Sequence, residues 1–458
     1  MVDAWAIKFC FWAFLHNLMA VRVIEQSRVS PTPPVDSSRL PIPLTFFDII
    51  WLNSVPVERL FFFNFPHTTS HFLQSHLPLL KSSLSLTLAE FYPLVGTIRL
   101  RPGSDHHFEI SFTETDSIPL TISEFIGGDF TVLSGDKERE VEDLLLLVPK
   151  LPKSYDAQPL LAVQVTLFPS QGLCLALTVH HAACDGQSST HFVKSWAAAF
   201  RSSTATPSPH PKPYVDCSVI QDPRDFYSLT AKLILDIRAQ KKTFSSTRTA
   251  ASIVLSTFTI DAVHISMLKQ RAQSSRRFHC SSYVVSCAFA WVCLLKTRGS
   301  VSDDAATNLI IAVDWRWRIR PRIPEAFFGN CIGSCIATAR AAEIVGQDGF
   351  SVACEKIGTA IEGIGDDVHE SMEGTLDKIV ALLPTRPLTF AGSPKLRVYE
   401  TDFGWGELKK VLVTSIGQTG AMSLAEMRNG DGGVEIGVVL TKAEMEKFTS
   451  HFVNGFES

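Results

Sequence analysis

Two adjacent histidines stand where an apolar run ends, and an acidic residue and a glycine follow shortly after them. The apolar run Leu173–Val179 leads into His180 and His181, and Asp185 and Gly186 come next in the same segment. Histidine is the side chain whose ordinary pKa suits proton transfer near neutral pH. His181 is therefore a candidate general base.

Taken alone, this pattern also fits two other arrangements. His181 would be a polar residue in a turn if Asp185 served only as the N-cap of a following helix. Two neighbouring histidines also suggest a metal site, but no third ligand lies at a recognisable spacing. The sequence therefore predicts no metal.

A second unusual segment, Asp402–Gly406, lies much further along the chain and places a tryptophan between two glycines. Glycine adopts backbone angles that other residues avoid, so Gly404 and Gly406 predict a tight loop anchored by the aromatic ring of Trp405. By itself this segment fits a simple turn.

Four arginines spaced by two form the third unusual feature, namely Arg316, Arg318, Arg320 and Arg322. In an extended segment all four side chains would face one side. Such a row is either a solvated basic edge or a site for an anionic substrate, for example the acyl group of malonyl-CoA.

The elements that would position these residues are visible as alternating strand and helix patterns. Two apolar strands, Leu160–Leu167 and Leu173–Val179, are separated by a turn rich in glycine and proline. After Gly186, apolar residues at helical spacing indicate a helix, and they are Phe192, Val193, Trp196 and Phe200. Further strands are predicted at Ile253–Ile260, Leu309–Val313 and Gly433–Leu440, and a buried helix at Ser281–Leu295.

The chain of 458 residues, with 45% hydrophobic and 19% charged residues, predicts two α/β domains. A linker rich in serine, threonine and proline separates them, which gives an N-terminal domain at 19–201, a linker or crossover loop at 202–225 and a C-terminal domain at 226–458. Residues 1–18 are interpreted as an upstream extension, with a membrane anchor as the alternative.

Charge and cysteine usage exclude several classes of protein. A net charge of −4 is not the basic footprint of a nucleic-acid binder. The ten cysteines are scattered singly and no asparagine begins a glycosylation sequon, so a reducing cytosolic location is expected.

The two segments His180–Gly186 and Asp402–Gly406 resemble, in this order, the HHxxxDG and DFGWG signature motifs of the BAHD family of plant acyltransferases. The segments Leu84–Gly96, Asp314–Arg316 and Phe327–Cys331 are also similar to elements of that family. There are departures at Phe327, at Trp315 and after the second motif, where Glu407 and Leu408 stand. The resemblance extends from about Met19 to the C-terminus.

The resemblance implies two similar-sized chloramphenicol-acetyltransferase-like domains with mixed sheets, joined by a crossover loop, and an active-site channel between them. His181 would be the general base in that channel. Asp185 would point away from it and pair with Arg316, so that both residues, together with Gly186, are structural. Acyl-CoA would be a cosubstrate, and no bound cofactor or metal would be used.

The same resemblance suggests further site residues. Trp405 is a candidate oxyanion donor and Asp402 a candidate proton acceptor, but a structural role for the whole loop, including Gly404 and Gly406, is favoured over both. Ser393 and Lys395 are candidate CoA-binding residues, with a solvated lysine as the alternative. Candidate contacts for the acyl donor are Arg318, Arg320 and Arg322.

Within the family, the segment Phe327–Cys331 resembles enzymes that acylate sugars of anthocyanins or other phenolic glucosides. We expect a monomer that acts on small molecules, with malonyl-CoA favoured over hydroxycinnamoyl-CoA as donor and with no nucleic-acid or membrane partner. A thioester hydrolase, a catalytically inactive binding homologue and a membrane-anchored acyltransferase are the alternatives.

Overall fold

The computed structural model describes residues 20–36, 39–152, 157–202, 210–239, 252–272, 278–299, 305–365 and 367–456. The extension at 1–18 and the first part of the linker, at 203–209, lie outside these ranges. In the described residues no helix has the length and apolar character needed to cross a membrane.

Strands are numbered in chain order. They are β1 (Ala20–Val29), β2 (Ile42–Pro43), β3 (Val57–Asn64), β4 (Thr97–Leu100), β5 (Phe108–Ser111), β6 (Ile118–Ile126), β7 (Arg139–Glu140), β8 (Gln158–Pro159), β9 (Leu161–Phe168), β10 (Gly172–Val179), β11 (Ile253–Ile260), β12 (Ala306–Asp314), β13 (Ile332–Arg340), β14 (Leu388–Ala391), β15 (Leu408–Val413), β16 (Met422–Glu426) and β17 (Val434–Thr441).

The α-helices lie at Phe46–Ile49, Thr69–His71, Leu77–Glu90, Phe130–Leu133, Val141–Leu145, Gly186–Arg201, Phe226–Ala239, Ala262–Ala272, Ser282–Arg298, Ala341–Val345, Gly349–Glu362, Val368–Met372, Thr375–Leu382, Ile416–Thr419 and Lys442–Asn454. A π-helical turn lies at Phe72–His76. Short 3₁₀ turns lie at Tyr92–Val95, His181–Ala183, Cys217–Val219, Leu383–Thr385, Pro394–Leu396 and Val398–Glu400.

Three sheets organise the molecule. A six-stranded sheet has the order β1-β6-β9-β10-β3-β15, a seven-stranded sheet the order β13-β12-β14-β16-β17-β11-β7, and a small sheet the order β2-β5-β4-β8. The first is mixed because β6 pairs parallel with β9, and the second because β14 pairs parallel with β12 and β16. The predicted mixed α/β fold is confirmed.

The strand that leads to the histidines is held on both sides. β10 pairs antiparallel with β9 and with β3 along its whole length. Every residue of β9 and β10 is buried, because the two faces of this sheet cover separate cores. This explains why both strands read as continuous apolar runs rather than alternating ones. The two strands predicted on either side of the turn are confirmed.

The helix after the histidines packs as the apolar spacing predicted. Gly186–Arg201 buries Phe192, Val193, Trp196 and Phe200. The Nε1 atom of Trp196 donates a hydrogen bond to the hydroxyl of Ser83 on the helix Leu77–Glu90, at 3.2 Å. Each buried aromatic or aliphatic side chain stabilises the fold by about 1.5–3 kcal/mol relative to an exposed one. This helix is therefore fixed firmly against the helix Leu77–Glu90.

The two halves of the chain exchange elements across the predicted linker. β15, from the C-terminal half, pairs with β3 at the edge of the six-stranded sheet, and β7, from the N-terminal half, pairs with β11 of the seven-stranded sheet. The helix Phe226–Ala239 also buries side chains in the core of the first half. A division of the chain at 202–225 therefore separates most elements of the two sheets, but not all of them.

A third core fills the space where the two large sheets face each other. Leu60 and Phe62 of β3 lie in one cluster with Leu255 of β11 and Val439 of β17. In addition, the buried Nζ of Lys410 on β15 forms an ion pair with Glu435 on β17 at 2.9 Å. The sheets are thus joined by both apolar packing and a buried charge pair.

Candidate active site

His180 is fixed within the fold by both of its ring nitrogens. Its Nδ1 accepts a hydrogen bond from the backbone N–H of Ala182 at 3.2 Å, and its Nε2 lies 2.8 Å from the side-chain oxygen of Gln158. Burial, and then the neighbouring His181, lower the pKa of His180 to about 4. His180 is therefore neutral at pH 7, and both nitrogens are already engaged in the fold.

His181 follows in a short 3₁₀ turn and is oriented by an aromatic neighbour. Its ring stacks on that of Trp51, with the centroids 3.9 Å apart and the planes inclined by 7°. Burial lowers the pKa of His181, while its own backbone, the charge of Asp185 and the side chain of Asn330 oppose that shift. The imidazole is thus held in the neutral form that a general base requires at pH 7.

Asn330 and Asp48 support the backbone of the histidine turn. The Nδ2 of Asn330 donates to the carbonyl of His181 and to the Oδ1 of Asp48, both at 2.9 Å. The Oδ2 of Asp48 accepts from the backbone and hydroxyl of Thr45 at 2.8 and 2.6 Å. Burial raises the pKa of Asp48 to about 6. Three distant parts of the chain thus meet beneath His181.

Several buried atoms around His181 have no hydrogen-bond partner among the residues that the structure describes. They include the Nε1 of Trp51, the Nδ1 of His181 and the Oδ1 of Asn330. A buried donor or acceptor without a hydrogen bond lowers the stability of the fold. A hydrogen bond between the Nδ1 of His181 and the Oδ1 of Asn330 would therefore be favourable.

Asp185 makes its contacts away from His181. One carboxylate oxygen accepts from the backbone N–H of Ser188 at 3.0 Å, which caps the helix Gly186–Arg201. The other accepts from the backbone N–H of Cys331 at 3.1 Å and pairs with the Nη1 of Arg316 at 2.8 Å. Both charged side chains are only 1% exposed. The ion pair expected between Asp185 and Arg316 is present.

Arg316 is buried and bonds to two separate segments of the chain. Burial lowers its pKa, but the charge and hydrogen bond of Asp185 outweigh that effect and raise it. Its Nη2 donates to the hydroxyl of Ser188 at 3.2 Å and to the carbonyls of Phe327 and Gly329 at 3.4 Å. The arginine therefore joins the start of the helix to the segment Phe327–Cys331.

The other three arginines do not form the row that an extended segment would give. Residues 316–320 fold into turns instead, so the expectation of four side chains on one side is wrong. Arg318 donates to the carbonyl of Ile364, Arg320 donates to the carbonyls of Trp317 and Ile319, and the guanidinium of Arg322 lies 5.8 Å from the ring centroid of Trp317. The three side chains therefore contact different groups.

The structure places the second motif at the opposite end of the sheet from His181. The backbone N–H of Asn64, the last residue of β3, donates to the carbonyl of Glu407 at 2.9 Å. Val57, the first residue of β3, lies opposite Val179, two residues before His181. The two ends of this eight-residue strand are about 23 Å apart at the rise of an extended strand. The two motifs are therefore not brought together.

The contacts of this second motif are structural. Trp405 stacks on Phe403 at 4.4 Å and meets Phe63 and Phe200 edge-on. Asp402 forms a half-exposed ion pair with Arg201, at the end of the helix Gly186–Arg201. The interpretations of Trp405 as an oxyanion donor and Asp402 as a proton acceptor are corrected, because neither side chain reaches the histidine end of β10.

Gly404 and Gly406 have the positive φ angles, 74° and 143°, that the predicted tight loop requires. A Cβ atom on Gly406 would lie only 2.4 Å from the carbonyl oxygen of Asn64. Glycine is therefore needed at this position so that the loop can lie against the end of β3.

The segment with Ser393 and Lys395 does lie at the histidine end. Ser393 caps a short 3₁₀ turn through the backbone N–H of Lys395, whose side chain is exposed. In the same turn a methyl group of Leu396 lies 3.1 Å from the position that a Cβ of Gly186 would occupy. This turn therefore packs against the first residue of the helix that follows His181.

A cavity of about 630 Å³ opens between the segment 40–46 and the segment 215–222. Its wall includes three aromatic side chains, Phe46, Tyr92 and Tyr227, and two acidic ones, Asp216 and Asp222. A smaller cavity shares part of this wall and continues to Asp48, Ala182 and Ala183. The volume of the larger cavity lies in the range of small-molecule sites, and the smaller cavity is lined by Ala182 and Ala183 of the histidine turn.

Sequence reasoning missed Trp51 and Asp48, and it named Asn330 only as part of a motif. These residues come from separate elements, and a single sequence holds no local sign that they meet His181. No group of three histidine, cysteine, aspartate or glutamate side chains suited to a metal is found in the described part of the chain.

The fold is that of acyltransferases with known structures. Vinorine synthase has a TM-score of 0.70 at 21% identity, with 95% of this chain and 98% of that chain covered. TRI101 of F. graminearum, solved with coenzyme A and deoxynivalenol, has a TM-score of 0.62 at 15% identity over 90% of this chain and 97% of that chain.

The chain belongs to the transferase family whose members include the BAHD acyltransferases, and the family model matches residues 19–454. Phenolic glucoside malonyltransferase 2 of Arabidopsis thaliana is 36% identical over 96% of this chain and all of its own length. The anthocyanin 3-O-glucoside-6''-O-malonyltransferase of Dahlia pinnata is 33% identical, with 97% and 99% covered. A coumaroyl-CoA:anthocyanidin 3-O-glucoside-6''-O-coumaroyltransferase of Arabidopsis thaliana is 31% identical, with 96% and 98% covered.

Proposed function

We propose that the protein is an acyl-CoA-dependent O-acyltransferase that transfers a malonyl group to a sugar hydroxyl of a phenolic or anthocyanin glucoside. The observation that carries this proposal is the neutral His181 at the end of β10, in a chain that is 33–36% identical to malonyltransferases acting on such glucosides. Acyl-CoA is the cosubstrate, as it is throughout this family.

In the proposed mechanism, His181 takes the proton of an acceptor hydroxyl while that oxygen attacks the carbonyl carbon of the thioester. The tetrahedral intermediate collapses by breaking the carbon–sulfur bond. The proton then passes from His181 to the departing thiolate, which leaves as coenzyme A. The products are an ester and a free thiol, and the histidine is regenerated without any other reactant.

Two neighbours would hold the imidazole ready for this step. A hydrogen bond from Nδ1–H of His181 to the Oδ1 of Asn330 would leave Nε2 as the basic nitrogen, and both atoms are otherwise unpaired. Stacking on Trp51 fixes the plane of the ring. Asp185 is excluded from a relay role because its oxygens are committed to Arg316, Ser188 and Cys331.

We assign a binding position to each substrate from the chemistry of the nearby side chains. The cavity of about 630 Å³ offers aromatic walls to a phenolic ring and carboxylates to sugar hydroxyls, so it is assigned to the acceptor. Ser393 and Lys395 belong to the turn whose Leu396 packs against Gly186, and they are kept as candidate contacts for coenzyme A. Arg318, Arg320 and Arg322 are not favoured as donor contacts, because they point to backbone carbonyls and to Trp317.

The remaining features of the proposal are a cytosolic monomer with an N-terminal domain at 19–201 and a C-terminal domain at 226–458. Singly placed cysteines and the lack of a glycosylation sequon in the sequence support the cytosol.

The test is product analysis by mass with purified protein, malonyl-CoA or p-coumaroyl-CoA, and a small set of phenolic glucosides. We expect malonyl esters, little thioester hydrolysis when the acceptor is omitted, and no transfer by the His181→Ala variant. His180→Ala should retain transfer in its folded fraction, because His180 is engaged in the fold. Efficient use of p-coumaroyl-CoA with no use of malonyl-CoA would refute the donor assignment, and equal loss in both variants would refute the base.

Hydroxycinnamoyl-CoA is retained as the alternative donor, because two coumaroyltransferases are 31% identical to this chain over nearly its whole length. Hydrolysis that proceeds equally without acceptor would identify a thioesterase instead. No turnover of any thioester by folded protein would identify a binding homologue.

A further inference from the structure

Arg59 is a buried arginine with most of its hydrogen-bonding capacity unused. It lies on β3, opposite Leu177 of β10, four residues before His181. The residue is only 7% exposed. Its Nη1 donates to the hydroxyl of Thr190 at 3.0 Å. A guanidinium carries five N–H donors, and in the described ranges this is the one hydrogen bond that Arg59 makes.

The free side of this guanidinium faces the start of the helix Gly186–Arg201. The Nη2 of Arg59 lies 4.0 Å from the position that a Cβ of Gly186 would occupy. Thr190 is held in turn by donating to the carbonyl of Gly186 at 2.7 Å. Gly186 has no side chain, and besides the Nη2 of Arg59 the nearest atoms to the position of its Cβ are the two methyl groups of Leu396, at 3.1 and 4.0 Å, beside the first turn of this sixteen-residue helix. A helix N-terminus adds a positive partial charge to the same place.

No carboxylate of the described residues lies within ion-pair distance of Arg59. Asp185 is the nearest one along the helix, and it is committed to Arg316 at 2.8 Å. Glu426 interacts with Arg59 only at longer range, and burial raises the pKa of its own carboxyl group. A buried charge without a partner is costly, so an anion arriving from outside would be stabilised here.

We propose that Arg59 and Thr190 form an anion subsite that receives the free carboxylate of a dicarboxylic acyl donor. The inference rests on the proposed function, because it assigns the far end of the malonyl group. That carboxylate is separated from the thioester carbonyl by a single methylene, so its subsite must lie near His181. An arginine binds a carboxylate through two parallel hydrogen bonds, which the unused donors of Arg59 provide.

The test measures binding without an acceptor, so that it does not depend on turnover. Dissociation constants of malonyl-CoA and acetyl-CoA are measured by calorimetry for the wild type, Arg59→Gln, Arg59→Lys and Thr190→Val. The two ligands share coenzyme A and differ in the carboxylate. In Arg59→Gln we expect malonyl-CoA to bind at least tenfold more weakly and acetyl-CoA to change less than threefold. Arg59→Lys and Thr190→Val should show smaller losses that are likewise confined to malonyl-CoA.

Arg99→Gln, on the small sheet, is the matched control and should leave both constants unchanged. Equal weakening of both ligands in Arg59→Gln would identify a phosphate of coenzyme A as the anion and overturn the carboxylate assignment. Unchanged binding of both ligands would overturn the subsite. If Arg59→Gln does not fold, the lysine and valine variants decide in the same way. The product assay described above reports separately on the proposed function.

Discussion

Replacing Asp185 with asparagine separates a structural role from a chemical one. The carboxylate lies 2.8 Å from Arg316, with both side chains 1% exposed, and it also accepts from two backbone N–H groups. Asparagine retains one oxygen, which can still cap the helix at Ser188. Its amide group would face the guanidinium of Arg316 and the N–H of Cys331, which are donors as well. One charge would then remain buried without its counter-charge.

The loss of one partner of a buried ion pair lowers the free energy of unfolding by about 3–5 kcal/mol. In contrast, the activity of the folded fraction should fall by no more than about tenfold, because Asp185 affects the pKa of His181 only through its charge. The assay combines urea unfolding with initial rates at a temperature where the variant remains folded. Asp402→Asn is the control, because its exposed ion pair contributes only about 0–1 kcal/mol.

The opposite pattern would refute this reasoning. In hydrolase triads, the same substitution lowers kcat by about 10⁴ while leaving the geometry intact. Unchanged stability with such a loss would show that Asp185 acts in the chemistry. The double variant Asp185→Asn with Arg316→Met should recover part of the lost stability, because it removes the stranded charge as well.

Two further outcomes are expected. Gly406→Ala should unfold at clearly lower urea concentration than the wild type, because its Cβ would lie 2.4 Å from the carbonyl oxygen of Asn64; a wild-type unfolding curve would contradict the tight approach. His180 has a pKa of about 4 in the folded state and about 6.5 when unfolded, so the unfolded chain binds more protons between these values and stability falls as the pH falls through this window. At pH 5 this costs about 2 kcal/mol relative to pH 7. In His180→Gln, the difference in unfolding free energy between pH 7 and pH 5 should be smaller than in the wild type by that amount. An equal difference in the variant and the wild type would contradict the lowered pKa of His180.

The sequence predicted those elements whose own residues contain the complete apolar pattern. β9, β10 and the helix Gly186–Arg201 were predicted because burial imposes a local pattern of apolar residues. The partner of Asp185 came from the family resemblance rather than from spacing. Trp51 and Arg59 were not found, since each reaches the histidine end of the sheet through strand or helix packing that no local pattern records.

The second motif shows the opposite difficulty. Its tight loop and its two glycines were predicted, but its distance from His181 could not be. Whether Trp405 lies beside His181 or about 23 Å away depends on the direction in which β3 runs and on its pairing with β15. That pairing joins residues that are far apart in the chain, so neither composition nor spacing contains it.

The pairing of β15 with β3 also has a consequence for synthesis on the ribosome. β3 presents the run Leu60–Phe63, and its outer edge stays uncovered until residues 408–413 have been translated. During that interval the nascent chain exposes an unpaired apolar strand, which is the kind of surface that drives association between chains. A fragment that stops before β15 should therefore aggregate when expressed alone. Productive folding in the cell is in this way tied to completion of nearly the whole polypeptide.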